Sequence, residues 1–252
     1  MAPDNDLAKY GYVIFPFLGL SELSQVRALV VNSIRRANFL EQGENTITED
    51  EWREFLLGYS SSTVFSHSAI SSKDARLLNP AELSKFMSLE AITKLRLLIG
   101  EFQISDEENM GRPEVYWRLV RPNCDSDVGP LHADGWFWAC NPNWQRPSFS
   151  HRRWKIWASL ETATGESGFK LISGSHLRTD IRYEIRHADG KLKPSIVDPA
   201  GEWSRSAVLA PVAPGEAILF DDLLVHGGAV TRGSIPRVSI EFTCFVPTDS
   251  VS

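Results

Sequence analysis

His132 and Asp134 form the motif in this chain with the clearest chemical potential. On an extended segment, residues two apart point to the same side, so this imidazole and this carboxylate can reach one ion. Two histidines and one carboxylate are typical ligands of a non-heme Fe(II). The motif therefore supplies two of three iron ligands, and a second histidine must come from elsewhere in the chain.

A second H-A-D-G segment begins at His187 and competes with the first. His187 lies between Arg186 and Lys191, and its Asp189-Gly190 pair is typical of a turn. We therefore favour the motif at His132. A further histidine, His67, lies in a loop-like Ser/His segment, and we interpret it as a surface or capping residue.

His226 is the expected third ligand. It ends an apolar segment, is followed by Gly227-Gly228, and lies 94 residues after His132. That separation leaves room for the strands that must bring a late strand back beside an early one. His187 is only 39 residues from His226, too few for comparable strands.

Arg237 follows His226 by 11 residues across a Gly/Ser/Pro turn, and Ser239 shares its face of the next strand. A buried guanidinium needs an anionic partner, and a carboxylate held by two hydrogen bonds is a natural one. The alternative is a structural ion pair with a nearby acidic residue, either Asp221, Asp222 or Glu241. Arg232 is a competing anchor, but its polar turn predicts exposure to solvent.

Strands with period-two alternation must position these residues. From about residue 114 we predict strands over Glu114–Val120, Arg153–Leu160, Phe169–Ile172, Ala217–His226 and Arg237–Val246. Most of these segments place apolar residues on one side and charged or polar residues on the other. Such a sheet either has one solvated face, or closes a barrel with a polar interior and an apolar exterior packed on helices.

The first 113 residues supply helices for that exterior. Tyr10–Phe17 predicts a strand, and helices are expected from Ser21, from Thr48 and over Leu89–Phe102. No repeat or linker divides the chain. We therefore expect a single domain over residues 1–252, with a helix-rich part at 1–113 and a β core at about 114–248.

Composition limits the setting. The net charge of −6 argues against a nucleic-acid or anionic membrane surface, and no apolar run is long enough to span a bilayer. The three cysteines are widely spaced, which favours a reducing, cytoplasmic location. The linear sequence does not predict an oligomeric state.

Taken in order, these features resemble the phytanoyl-CoA dioxygenase family of Fe(II)/2-oxoglutarate oxygenases. The resemblance rests on the strand and helix at 10–40, H-x-D at 132–134, Gly174-Ser175-His176, His226 and Arg237. One departure is Ser173, where the family usually has proline. The resemblance implies a double-stranded β-helix, or jelly-roll, core. It also implies that His176 is structural.

The resemblance further implies Fe(II) held by His132, Asp134 and His226, and 2-oxoglutarate bound through Arg237 and Ser239. The reaction would consume O2 and release succinate and CO2 while a C–H bond of a small molecule is oxidised. Because related halogenases have a small residue at the position of Asp134, the carboxylate favours hydroxylation over halogenation.

Substrate contacts are expected from Lys155 and Trp157, which face inward in the barrel interpretation. Trp136 follows the metal motif and either lines the substrate pocket or packs in the core. The segment 177–193 is either a charged lid over the site or a solvated surface segment. Two rivals to the oxygenase stay open. One is a jelly-roll metalloenzyme that does not use 2-oxoglutarate, and the other is a non-catalytic binding module on the same fold.

Overall fold

Two antiparallel sheets and a layer of helices form the architecture seen in a computed structural model, which describes residues 3–41, 43–61, 68–70, 72–144, 151–188 and 191–248. The α-helices are α1 Pro3–Tyr10, α2 Leu20–Ala37, α3 Glu49–Ser61, α4 Lys73–Arg76, α5 Pro80–Met87, α6 Glu90–Ile99, α7 Phe137–Cys140 and α8 Glu202–Ser206. The strands are β1 Tyr12–Pro16, β2 Gln103–Ile104, β3 Val115–Val120, β4 His151–Glu161, β5 Gly168–Leu171, β6 Tyr183–Ala188, β7 Lys191–Ile196, β8 Val208–Leu209, β9 Glu216–Asp221, β10 His226–Ala229 and β11 Arg237–Pro247. Short 3-10 turns span Ser68–Ile70, Asp125–Asp127, Asp134–Trp136 and Ser175–Leu177.

The larger sheet has the order β1-β9-β4-β11, and β2 and β3 both pair with the free side of β11. The smaller sheet has the order β10-β5-β8, and β6 and β7 form a separate hairpin. Strands late in the chain thus lie between early ones, as the spacing of His132 and His226 requires. The predicted jelly-roll core is confirmed.

The outer face of the larger sheet packs on helices, as the barrel interpretation predicts. In β11, the alternate residues Val238, Ile240, Phe242 and Cys244 are buried in one cluster with side chains of α2, α3, α5 and α6. This burial removes the apolar side from water, which is the main stabilising contribution to the fold. The opposite side of β11 is therefore left to line the interior between the sheets.

The segment 217–226 differs from the prediction of one strand. It divides into β9 and β10, which belong to different sheets. The break lies at a turn in which the Asp221 carboxylate accepts a hydrogen bond from the Leu223 N–H (2.9 Å), and the Leu224 N–H donates to the Asp221 carbonyl (2.9 Å). The turn carries the chain from one sheet to the other and so brings His226 onto the smaller sheet.

Other elements were not predicted or lie elsewhere. Helices α1 and α5 and the β6–β7 hairpin were not predicted from the sequence, although Asn79, Pro80 and Glu82 form a recognisable start of α5. His67, interpreted as a surface or capping residue, lies outside the described residues. Among the helices within the described ranges, none combines the length and the apolar character that crossing a membrane requires.

Glu114, just before β3, makes the stability of the fold depend on pH. It is buried, and burial raises its pKa from 4.5 to about 8 against the lowering effect of the hydrogen bond from the Glu108 N–H. Because the folded-state pKa lies above the unfolded one, stability falls as the pH rises from about 5 to about 8. Glu114→Gln should therefore stabilise the metal-free protein at pH 8, on the order of 2 kcal/mol, and much less at pH 5.

Urea unfolding of the metal-free protein at both pH values measures this difference. Glu101→Gln, at an exposed position, is the matched control and should change little. Equal effects of Glu114→Gln at the two pH values would contradict the expectation.

Candidate functional site

A backbone bridge holds His132 and His226 side by side. The His132 N–H donates to the His226 carbonyl (2.9 Å), and the His226 N–H donates to the His132 carbonyl (2.8 Å). This reciprocal pair is the hydrogen-bonded pair of an antiparallel ladder, in which two residues lie directly opposite each other with their side chains on the same face. The two imidazole ring centres are accordingly 4.6 Å apart.

Both imidazoles are oriented by backbone carbonyls. Nδ1 of His132 lies 2.8 Å from the Pro130 carbonyl oxygen, and Nδ1 of His226 lies 2.9 Å from that of Leu224. A ring nitrogen facing a carbonyl carries the proton, so the lone pair of each ring is on Nε2. These Nε2 atoms face Asp134, at 3.6 Å from Oδ1 for His132 and 3.9 Å from Oδ2 for His226.

The electrostatics keep these groups in the forms that bind a cation. Burial lowers the pKa of His226 from 6.5 to about 4, despite the opposing charge of Asp134, so its imidazole is neutral at pH 7. Burial alone would raise the pKa of Asp134. The positive charge of Lys155, together with interactions with His226 and a hydrogen bond with His132, instead holds that pKa well below 3.8.

The three side chains therefore fit a metal ion. One possible ligand atom from each of His132, Asp134 and His226 lies within 4.8 Å of the others. Two imidazole nitrogens and one carboxylate on one side of an ion leave its other positions open, which is the donor set of a non-heme Fe(II) centre. The fold therefore brings His226 next to His132 and Asp134.

Arg237 lies on the inner face of β11, against Gly168 and Trp157. Its side chain is buried, Nη1 donates to the Gly168 carbonyl (3.2 Å), and the guanidinium carbon lies 5.6 Å from the centre of the Trp157 ring. Gly228 allows this arrangement, because a Cβ atom there would lie 2.8 Å from Val128 and 3.4 Å from Nη2 of Arg237.

Two buried polar atoms here have no hydrogen-bond partner within the described part of the chain: Nε of Arg237 and Oγ of Ser239. Arg237 also makes no ion pair with any described acidic residue, including the three structural partners considered above. Burial, with the nearby Arg118 second, lowers the pKa of Arg237 from 12.5 to about 10. An unpaired buried guanidinium is costly, so these donors fit the carboxylate of a bound co-substrate such as 2-oxoglutarate.

An ion-pair network supports the metal-facing residues from behind. Arg153 of β4 donates to Glu107 through Nε (2.9 Å) and Nη2 (2.5 Å), and to Asp222 through Nη1 (3.1 Å). The Asp222 carbonyl in turn accepts a hydrogen bond from the Gly135 N–H (2.8 Å). The network therefore joins the turn after Asp134 to the turn before β10.

Of the three residues expected to contact substrate, Lys155 lies closest to the metal-facing cluster. Its Nζ is 3.2 Å from Oδ2 of Asp134 and 2.7 Å from Oγ1 of Thr243. Trp157 also faces inward, but it packs against Phe169 and Arg237, at the end of the interior that fits 2-oxoglutarate.

Trp136 lies apart from Lys155 and Trp157. Its ring stacks on Tyr183 of the hairpin at 4.6 Å, and it packs with Ile172, Ile196 and Val225. Val225 precedes the inward-facing His226, so this cluster lies on the outer side of the smaller sheet. The 3-10 turn over Asp134–Trp136 directs the ring to that side, so contact of Trp136 with substrate stays a prediction.

The remaining candidates lie at the surface. His187 is exposed in β6, while Asp189 and Gly190 of the same motif lie outside the described residues. Arg232 is exposed and pairs with Asp125 (2.9 Å), as its turn predicted. In the segment 177–193, exposed arginines pair with acidic residues two positions away, as Arg178 does with Asp180. Tyr183 nevertheless places the hairpin against the turn that follows Asp134, so the lid stays a prediction.

Sequence reasoning assigned no role to Tyr116 and Arg118 and considered Glu241 only as a structural partner of Arg237, although all three line the same interior. The available signal was their alternation with the buried residues Trp117 and Ile240. That alternation assigned them to a face but gave no reason to assign them a role.

Comparison with known proteins adds to this geometry. The family model described as phytanoyl-CoA dioxygenase (PhyH) matches residues 76–239, which is well over half of the chain. The match includes all three metal-facing residues, Arg237 and Ser239. No curated protein matches the chain as a sequence relative.

Solved structures share the fold at low sequence identity. AviO1 from Streptomyces viridochromogenes Tue57 is 14% identical, with a TM-score of 0.53 over 100% of this chain and 96% of that one. EvdO2 from Micromonospora carbonacea var. aurantiaca, complexed with 2-oxoglutarate, is 16% identical, with a TM-score of 0.53 over 97% and 89%. EctD from S. alaskensis, with 2-oxoglutarate and 5-hydroxyectoine, is 15% identical, with a TM-score of 0.53 over 96% and 74%.

Proposed function

Since the chain belongs to the phytanoyl-CoA dioxygenase (PhyH) family, we propose that it hydroxylates a C–H bond of a small, polar or carboxylate-bearing molecule, with release of succinate and CO2. Family membership makes the protein an Fe(II)/2-oxoglutarate-dependent oxidoreductase. The substrate class and the residue roles are what we propose beyond that.

In this proposal His132, Asp134 and His226 hold the iron. Each histidine presents Nε2 because a backbone carbonyl holds the proton on Nδ1, and the Asp134 carboxylate faces both rings. Arg237 and Ser239 hold the distal carboxylate of 2-oxoglutarate through the two atoms that otherwise have no partner among the described residues. The Gly168 carbonyl and the Trp157 ring keep the guanidinium in place.

When bound, iron and 2-oxoglutarate supply the oxidising chemistry: one oxygen atom of O2 enters succinate as CO2 is lost, and the other enters the substrate C–H bond. The protein contributes position and a partly dry interior. Phe169 and Phe220 pack their rings within 5.0 Å of the His226 ring, which excludes water from that side of the site. Asp134 supplies the third protein ligand, which supports hydroxylation rather than halogenation.

The observation that carries the proposal is the pairing of two independent features on one inner face. One is a pre-oriented pair of imidazoles beside a carboxylate, and the other is a buried arginine with an unsatisfied donor. A metalloenzyme that does not use 2-oxoglutarate has no need of the second feature. A binding module has no need of either feature.

Succinate release tests the proposal before the substrate is known. Many oxygenases turn over 2-oxoglutarate slowly without substrate, so the purified protein with Fe(II), O2 and 2-oxoglutarate should form succinate. Omitting iron should abolish succinate formation. If the protein binds stoichiometric iron but neither binds 2-oxoglutarate nor forms succinate, a metalloenzyme that does not use 2-oxoglutarate is favoured. If the protein binds no iron, a non-catalytic binding module is favoured.

A further inference from the structure

The inner face of the larger sheet continues past Arg237 into a second polar region formed by Tyr116, Arg118 and Glu241. In the register of β3 and β11, Tyr116 lies opposite Glu241 and Arg118 lies opposite Ser239. All of them alternate with residues buried against the helices, so they point into the same interior as Ser239. Nη2 of Arg118 donates to Oε1 of Glu241 (3.1 Å).

This region opens into accessible space although it faces inward. The side chains of Arg118 and Glu241 keep 37% and 30% of their surfaces accessible, whereas Ser239 beside them keeps 0%. The Arg118–Glu241 pair is therefore accessible to a small molecule. Asp134 and Arg237 both lie close enough to Arg118 for their charges to interact.

Two polar atoms in this region lack partners. Within the described ranges, Nε of Arg118 and the hydroxyl of Tyr116 are buried and make no hydrogen bond. Buried polar groups are nearly always paired in proteins, and an unpaired one is costly. Both atoms can donate, so together they present two free donors to the interior.

The charges facing the interior are also unbalanced. Three cationic side chains, Arg118, Lys155 and Arg237, face two carboxylates, Asp134 and Glu241. Arg76 lies close enough to interact with Arg118 and Glu241, and Glu108 opposes its charge. The two positive charges of Fe(II) and the two negative charges of 2-oxoglutarate cancel, so an excess of positive charge remains after both bind. Burial lowers the pKa of Arg76 from 12.5 to about 10, and repulsion from Arg118 adds to the decrease.

We propose that the substrate carries a carboxylate, and that this carboxylate is bound by Arg118 and Tyr116. This inference rests on the proposed function, because it assigns the substrate end of that same interior. One guanidinium and one phenol suit a singly charged, planar group. A phosphate dianion is disfavoured because the Glu241 carboxylate lies against the same guanidinium.

The rest of the substrate lies along an aromatic wall. Phe137 packs edge-on against the His132 ring at 5.4 Å, and Trp144 stacks on Phe137 at 6.1 Å. Nζ of Lys73 lies 5.3 Å from the centre of the Trp144 ring and 5.8 Å from that of Tyr116. These contacts form a continuous line from the metal-facing histidine to the proposed carboxylate site, so an apolar or aromatic body fits beside it.

Benzoate and benzamide are matched probes for this site, because they share a phenyl ring and only benzoate carries a negative charge. The protein is first saturated anaerobically with Fe(II) and 2-oxoglutarate, and each probe is then titrated by calorimetry. Benzoate should bind at least about tenfold more tightly than benzamide. Arg118→Gln should remove most of that preference, and Tyr116→Phe should reduce it about threefold.

The binding of 2-oxoglutarate should be unchanged in Arg118→Gln and Tyr116→Phe. The melting temperatures of both variants are measured to check that they fold. Arg232→Gln, which removes an exposed guanidinium, is the matched control and should keep the full preference for benzoate.

Four results would overturn the proposal. These are equal affinity for the two probes, no saturable binding of benzoate, tighter binding of inorganic phosphate than of benzoate, and weaker binding of 2-oxoglutarate in Arg118→Gln. The last result would assign Arg118 to the co-substrate. If the protein does not take up Fe(II) and 2-oxoglutarate in the first step, the proposed function fails instead, and the two failures are thereby distinguished.

Discussion

His226→Ala is expected to abolish iron-dependent turnover and to weaken Fe(II) binding by more than about a hundredfold. The variant removes one of three protein ligands, and the remaining imidazole and carboxylate cannot enclose the ion. Its backbone bridge to His132 does not depend on the side chain, so the fold should persist. Iron content after anaerobic reconstitution and succinate formation are the measurements.

His187→Ala is the matched control for this prediction. His187 begins the same four-residue motif as His132 but is exposed on β6, so its loss should leave iron binding and succinate formation unchanged. Equal effects of the two variants, or retention of stoichiometric iron by His226→Ala, would contradict the assigned ligands.

Arg237→Leu is expected to weaken the binding of 2-oxoglutarate about a hundredfold or more, which corresponds to about 2.7 kcal/mol, while iron binding is retained. The variant removes the charge that we assign to the distal carboxylate. Ser239→Ala removes a single uncharged hydrogen bond, so it should weaken binding only about threefold to tenfold. Calorimetric titration of 2-oxoglutarate into the iron-loaded, anaerobic proteins measures both effects.

The stability of Arg237→Leu separates a binding role from a structural one. Because Arg237 is buried without an ion pair among the described residues, replacing it by leucine should leave the melting temperature of the ligand-free protein unchanged or higher. The increase in melting temperature on adding 2-oxoglutarate should be lost. Arg232→Leu is the exposed control. A large destabilisation of Arg237→Leu together with normal 2-oxoglutarate binding would show that Arg237 is structural.

The parts of the site that the sequence predicted are those set by local periodicity. Alternation in β11 separates the helix-facing Val238 and Ile240 from Arg237 and Ser239, and the structure has that arrangement. His226 was predicted because it follows an apolar segment at a separation that a jelly roll needs. Both inferences rest on the period of two, which the backbone imposes on every strand.

The parts that could not be predicted depend on contacts between distant residues. The break between β9 and β10 falls inside a segment that is apolar apart from two aspartates, and only the crossing between sheets explains it. The pairing of Arg153 with Glu107 and Asp222 joins three separate segments. The side of the sheet on which Trp136 lies is set by the 3-10 turn over Asp134–Trp136, which the residue types alone do not predict.

Binding of Fe(II) and 2-oxoglutarate together on this inner face can be tested by one anaerobic titration. Iron and then 2-oxoglutarate are added to the metal-free protein while the visible absorption band of an iron–keto-acid chelate is recorded. We expect a band that saturates at one equivalent of iron, is weaker in Arg237→Leu at equal 2-oxoglutarate concentration, and is absent in His226→Ala. Iron binding without a band at any 2-oxoglutarate concentration would contradict binding of the two together.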